Sequence, residues 1–273
     1  MNRLFVAYKP SGISSNLFLS KLKRKYNTKK AGFSGTLDPF ARGVLIIGIG
    51  SYTKLFRFLK KTPKRYRATL WLGAKSDSLD TEMIENVQMI KELETKKISE
   101  TIKSLEGELE YEPPIFSAKR IDGQRAYDLA RAGKEFTLNK IRSIIYEAEL
   151  INYSHPFVTF EASVSEGTYI RSLGLMIANR LGTEYGSLSA LERLREGEFV
   201  YNDEKALDIK RSLNIKENFY NGNSDNLKYG RVLALDDLKI KEEGCYWLDS
   251  GSFISIIEVI KTEVNYKLGR IEC

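Results

Sequence analysis

Residues Gly32–Gly43 read GFSGTLDPFARG. The stretch holds one acid, Asp38. From Met1 through Arg67 there are 16 Lys and Arg and no other carboxylate. This segment carries a net charge of +15 and is joined to a remainder of net −8. Nearby cations favour the charged form of a carboxylate, so Asp38 is expected to stay ionised. Gly32, Gly35 and Gly43 let the backbone turn tightly, and Pro39 restrains the residue before it. A carboxylate on a stiff loop inside a positive surface suits an enzyme acting on a polyanion. The competing reading is structural: Asp38 as the N-cap of a helix whose first residue is Pro39.

The rest of the composition prunes the chemistry. At 273 residues the chain can hold one large domain and a small one. No apolar run reaches membrane-spanning length, and the N-terminal residues MNRLFVAYKPSG lack a signal-peptide core, so a cytoplasmic protein with no membrane partner is expected. Cys245 and Cys273 make no disulfide framework and no metal-ligand spacing, and the one histidine, His155, precedes Pro156 in a turn. No G-x-x-x-x-G-K-[ST] loop is present, and Gly48-Ile49-Gly50 lacks the third Rossmann glycine. Carboxylate, Tyr, Lys and Arg chemistry remains. The pI near 9.1 and the concentrated basic half point to nucleic acid.

Outward from the central loop, Leu4–Ala7 predicts a strand and Asn16–Tyr26 a helix capped by Ser14 or Ser15. Val44–Ile49 predicts a buried strand, Ser51–Lys61 a helix stopped by Pro63, and Arg65–Leu72 an alternating strand that carries Tyr66. Asp77 and Asp80, in GAKSDSLD, read as turn chemistry. Ile98–Leu105 predicts a helix, Ser117–Ile121 a strand, Asp122-Gly123 a hairpin turn and Gln124–Ala132 a helix. Lys119, Arg120, Arg125 and Arg131, interleaved with Phe116 and Tyr127, suit RNA or an ordinary helix face. Ser143–Asn152 and Phe157–Ser165 are strand-like. Gly167–Leu181 reads as a helix with Arg171 in its first turn, where the positive dipole end calls for an acidic partner. Leu188–Leu194 and Glu198–Tyr201 predict strands, residues 206–230 a linker or exposed loop, and residues 231–273 a small β-rich module. Residues 1–205 then form one α+β domain with a large sheet.

Five motifs in order carry a resemblance to the TruB-type tRNA pseudouridine synthases: KPSGISS at Lys9, AGFSGTLDPFARGVL at Ala31, KRYRATLWLG at Lys64, PPIFSAKRIDGQRAYDLARAG at Pro113 and SEGTYIRSL at Ser165. The resemblance implies a central mixed, mainly antiparallel sheet flanked by helices, with a C-terminal module of PUA type. It implies isomerisation of one uridine in the T loop of tRNA (position 55), with no metal or cofactor needed; a monomer is expected. It makes Asp38 the catalytic carboxylate, Tyr66 the tyrosine stacked on the target base and Arg171 the partner of Asp38. Tyr169 and Leu191 fall at positions that touch the flipped uridine. Phe33 replaces the usual histidine of the central motif, while Lys9, Lys64 and Lys119 are taken as RNA contacts. Glu192 stands where an Arg is common, and Glu166 where a small or basic residue is common. Two rival readings remain: a non-catalytic RNA-binding or tRNA-folding chaperone, and a glycoside or nucleoside hydrolase. The hydrolase needs two flanking acids, and the basic segment supplies one.

Overall fold

The computed structural model describes residues 2–117, 119–121 and 123–273. Strand β1 (Arg3–Lys9) and helix α1 (Ser15–Lys25) lead to β2 (Ala31–Ser34) and β3 (Arg42–Ile49). Ser14 caps α1 by accepting a bond from the Leu17 amide, and Lys23, Arg24 and Lys25 complement its C-terminal dipole. The expected helix after β3 is instead a 3-10 segment, Gly50–Phe58, with Tyr52, Leu55 and Phe58 buried. β4 (Lys64–Leu72) buries alternate residues, as a strand with two unlike faces must. A small hairpin, β5 (Ala74–Ser76) and β6 (Ile84–Val87), precedes α2 (Thr95–Lys103) and β7 (Gly107–Tyr111).

Among the described residues of the strand expected at Ser117–Ile121, Arg120–Ile121 (β8) forms a ladder with Gln124–Arg125 (β9). Asp122, half of the expected hairpin turn, lies outside the described residues. Helix α3 (Ala126–Arg131), strands β10 (Ile141–Ser154) and β11 (Phe157–Val164), helix α4 (Ile170–Arg180) and strand β12 (Gly186–Glu196) complete this part of the chain. Glu198–Tyr201 is no strand and makes one isolated bridge, Glu196 with Phe199.

The main sheet runs β1-β3-β12-β4-β11-β10-β7, with β2 added to β3. Every pairing in it is antiparallel except β12 with β3, which meet only at Glu192–Arg42 and Arg193–Gly43. The fold is therefore the α+β architecture with a mixed, mainly antiparallel sheet that the sequence predicts. Helix α4 packs on this sheet through Leu173 and Ile177, both fully buried, each burial stabilising by about 1.5–3 kcal/mol. Two glycines permit the close approach. A Cβ on Gly174 would lie 2.8 Å from Leu188, and one on Gly186 would lie 2.6 Å from the Ala178 Cβ.

Residues 206–230, expected as a linker or exposed loop, hold short elements between loops. These are α5 (Ile209–Ser212), β13 (Lys216–Asn218) and α6 (Ser224–Tyr229). Asp208 and Asn223 cap the two helices, so part of the Asn- and Asp-rich composition serves capping. β13 joins β14 (Gly244–Asp249), β15 (Phe253–Ile260) and β16 (Glu263–Glu272) in a second, four-stranded sheet. Trp247, Ile254, Ile256 and Ile271 share a hydrophobic cluster with Leu4, Val6, Val44 and Ile46, so the C-terminal sheet packs on the back of β1 and β3. Among the described residues no helix is long and apolar enough to cross a membrane.

Candidate active site

Asp38 sits on a loop, and no helix starts there. The N-cap reading fails: the Ala41 amide bonds the Asp38 carbonyl at 3.1 Å in a turn, and the chain then enters β3. The loop is laced to the KPSGISS turn. Ser15 Oγ donates to the Leu37 carbonyl (2.9 Å) and accepts from the Leu37 amide (3.0 Å), while the Gly12 amide donates to the Pro39 carbonyl (2.8 Å). The Lys9 ammonium is fully buried and donates to the carbonyls of Ile13 (2.7 Å), Pro10 (2.9 Å) and Pro39 (3.4 Å). Burial brings its pKa down to about 8, with Asp38 opposing. Lys9 is thus a staple for the two turns, and its charge has no route to an RNA phosphate, contrary to expectation.

Arg171 is the anchor of the site. Its Nε lies 2.9 Å from Asp38 Oδ2, Nη1 donates to the Ser78 carbonyl at 2.7 Å, and Nη2 donates to the Phe116 carbonyl at 2.9 Å. The acidic partner that the first turn of α4 called for is therefore Asp38. Arg171 is 4% exposed and Asp38 35%, so the pair presents its carboxylate outward and its guanidinium inward. A second acid, Asp80, approaches Nη1 at 3.8 Å. Asp80 is itself buried and held by Ser78 Oγ (2.6 Å) and the Glu82 amide (2.9 Å). Its reading as mere turn chemistry is incomplete, because the turn exists beside the guanidinium.

These placements set burial against the basic field at Asp38. Burial pushes the Asp38 carboxyl above its ordinary range, more than Arg171 pulls it down; Asp80 adds to the rise, and Lys9 opposes it. Desolvation outweighs the basic field because the surface lysines act through water, whereas burial acts on the carboxylate directly.

Asp38 and Arg171 open onto a cleft of about 270 Å³ that Tyr66, Tyr169, Leu191 and Lys64 also line. Tyr66 and Leu191 come from adjacent strands, β4 and β12, and are buried in its wall. Tyr169 precedes α4, and its amide donates to the buried Tyr111 hydroxyl at 3.0 Å. Phe33 and Lys119 are not among the lining residues. Phe33 pairs with Ile47 in the sheet and packs beside α1, and Lys119 bonds the Asn139 carbonyl at 3.0 Å.

The sequence reading passed over Arg193 and Glu196. Arg193, 1% exposed, lines the cleft and donates to the carbonyls of Val44 (2.8 Å) and Gly35 (3.0 Å). Glu196 accepts from Ser34 Oγ at 2.9 Å and faces Lys64 and Arg193, each at 3.4 Å. Together they fix the start of the Asp38 loop against β12. Two more charges inside a strand give no signal of this. Glu192 points elsewhere, binding the Tyr8 hydroxyl (2.6 Å) and Arg42 (2.8 and 3.1 Å). No group of three His, Cys, Asp or Glu among the described residues is placed to hold a metal.

Comparison with known proteins meets this geometry. Residues 23–170 match the family described as TruB family pseudouridylate synthase (N terminal domain). The chain is 76% identical over 273 residues to tRNA pseudouridine synthase B of Sulfurimonas denitrificans, covering 100% of both chains. The chain belongs to the TruB family. Within that family it is also 48% identical to tRNA pseudouridine synthase B of Campylobacter jejuni (strain RM1221), over 100% of this chain and 99% of the relative. Among solved structures, a chain of a Cbf5-Nop10-Gar1 complex is similar with a TM-score of 0.69 over 99% of this chain and 84% of that one. At 19% identity that likeness bears on the fold alone. As a TruB-family pseudouridine synthase the chain is an isomerase.

Proposed function

We propose that this enzyme converts one uridine in the T loop of tRNA to pseudouridine, with Asp38, Arg171 and Tyr66 as its reacting and positioning groups. The observation that carries the reading is the 2.9 Å contact between Arg171 and Asp38 at a cleft that Tyr66 also lines. The names of the full-length relatives support tRNA as the substrate.

The cleft is of a size for a single base, so the target nucleotide has to swing out of the loop stack, at a cost of a few kcal/mol. Tyr66 supplies a face for the uracil, and Leu191 and Tyr169 close around it. The bond from uracil N1 to ribose C1′ breaks, the base turns, and a bond from C5 to C1′ forms. The Asp38 carboxylate serves this exchange as nucleophile or as counter-charge to the sugar, dividing one hard step into easier ones. The proton on C5 then passes to the Tyr66 phenolic oxygen as that hydroxyl releases its own proton to water, and N1, left with the electron pair of the broken bond, takes up a proton from water. The chemistry draws on a carboxylate, a guanidinium and a phenol. Lys64 at the cleft and Lys119 on the surface suit phosphate contacts. The enzyme is taken to act as a monomer in the cytoplasm.

A pure RNA binder or folding chaperone gains nothing from a carboxylate steered by a buried guanidinium in a cationic wall. Incubation with an unmodified tRNA transcript, followed by mapping of pseudouridine, tests the assignment. Conversion confined to the T loop is expected; conversion elsewhere only, or none, defeats it.

A further inference from the structure

At the lip of the cleft two ammonium groups converge on one carboxylate oxygen. Lys61 Nζ lies 2.8 Å, and Lys64 Nζ 3.9 Å, from Glu166 Oε1. The side chains of Lys61 and Lys64 are 17% and 7% exposed, whereas that of Glu166 is 50% exposed, so the acid covers the two cations. Lys64 also faces the buried Glu196, but among the described residues Lys61 meets no other carboxylate at salt-bridge distance. Partial burial pushes the Glu166 carboxyl up, yet the Lys61 hydrogen bond and the charges of both lysines hold it below its ordinary value. The covering group is therefore an anion at neutral pH.

A pair of lysines gathered round a single oxyanion, next to a cleft of base size, is the chemistry of a phosphate site. We propose that Lys61 and Lys64 receive a backbone phosphate of the RNA beside the target nucleotide, and that Glu166 fills this place in the free protein as a tethered competing anion. The inference rests on the pseudouridine synthase reading. The loop is built to let the acid go. Ser165 Oγ accepts from the Ile144 amide at 2.9 Å, and Thr168 Oγ1 donates to the Ser165 carbonyl at 2.9 Å, so neither anchor uses the Glu166 side chain. Rotation of that side chain leaves Tyr169 and Arg171 where they are. The acid is half exposed, so water already screens its side of the pair, and a phosphate supplied in the right place displaces it. A phosphate that does not reach both lysines leaves the competitor seated, which adds selectivity at some expense of affinity.

The test is tRNA binding across a range of salt concentrations for the wild type, Glu166→Gln, Lys61→Ala and the double variant, with turnover of the same transcript by the wild type. Glu166→Gln is expected to bind several-fold tighter, with a plot of log K against log salt steeper by about 0.7–0.9. Lys61→Ala is expected to weaken binding and flatten the slope, and in its background Glu166→Gln is expected to do little. Unchanged or weaker binding by Glu166→Gln overturns the proposal, as does an equal gain in both backgrounds, which would be a bulk charge effect. A wild type that binds tRNA without converting it sinks the functional reading, and this inference falls with it. Conversion by the wild type with no change in Glu166→Gln sinks this inference alone.

Discussion

Arg171 Nη1 lies 3.8 Å from Asp80 Oδ2 while its Nε meets Asp38, so one buried guanidinium serves two carboxylates. Asp80 is the inner, fixed partner, and its negative charge helps to raise the Asp38 pKa. A raised folded-state pKa means that Asp38 takes up its proton, and activity fails, at a higher pH than an ordinary carboxylate would dictate. Asp80→Asn keeps an oxygen for Ser78 and the Glu82 amide but removes the charge. The acid limb of kcat/KM is therefore expected to move to lower pH in Asp80→Asn. A pH–rate profile of both proteins checks the direction.

Arg171 makes three directed contacts, to Asp38 and the carbonyls of Ser78 and Phe116, from a planar fork. Lysine cannot reproduce them. Arg171→Lys is expected to lose about 2–4 kcal/mol of stability, since it strands buried acceptors, and to lower turnover as Asp38 loses its aim. Chemical denaturation and steady-state kinetics read the two effects separately.

Tyr66 has a face for stacking and a hydroxyl for proton transfer. Phenylalanine keeps the first and removes the second. Tyr66→Phe is expected to reduce kcat by about 10²–10⁴-fold with KM changed only a few-fold. A rise in KM with kcat preserved would mean that the hydroxyl binds substrate rather than moving a proton.

Gly43 joins the Asp38 loop to β3 with φ +117°, and an added Cβ would lie 2.3 Å from the Arg193 carbonyl oxygen. Gly43→Ala is therefore expected to cost at least about 2 kcal/mol, from strain and from forcing β12 away from β3 at their short parallel contact. Urea unfolding measures it.

Asp38 and Arg171 are legible in the sequence for a physical reason. An acid alone among cations and a cation at the wrong end of a helix dipole are each anomalies that ask for a partner. Strand and helix positions follow from periodicity, although the 3-10 segment Gly50–Phe58 shares its apolar spacing with an α-helix and cannot be told from one by pattern. Burial was not legible. Lys9 carries the same charge as its exposed neighbours, and nothing in its type shows three carbonyls gathered round it. Asp80, Arg193 and Glu196 depend on contacts across more than 80 residues, or on loops that close only when the sheet forms. The Asn-rich stretch after Asn218 looked like a linker because helix caps and loops share a composition.

The claim at the centre is that the Asp38 carboxylate, aimed by Arg171, carries the reaction on a uridine swung out of tRNA. Single-turnover conversion of an unmodified tRNA transcript, with wild type and Asp38→Asn at concentrations that saturate binding, tests it most directly. Pseudouridine is expected at one T-loop position with the wild type. With Asp38→Asn, tRNA binding is expected to be retained and the rate to fall at least about 10³-fold, some 4 kcal/mol of barrier. An Asp38→Asn enzyme that converts the same uridine at the wild-type rate would contradict the claim.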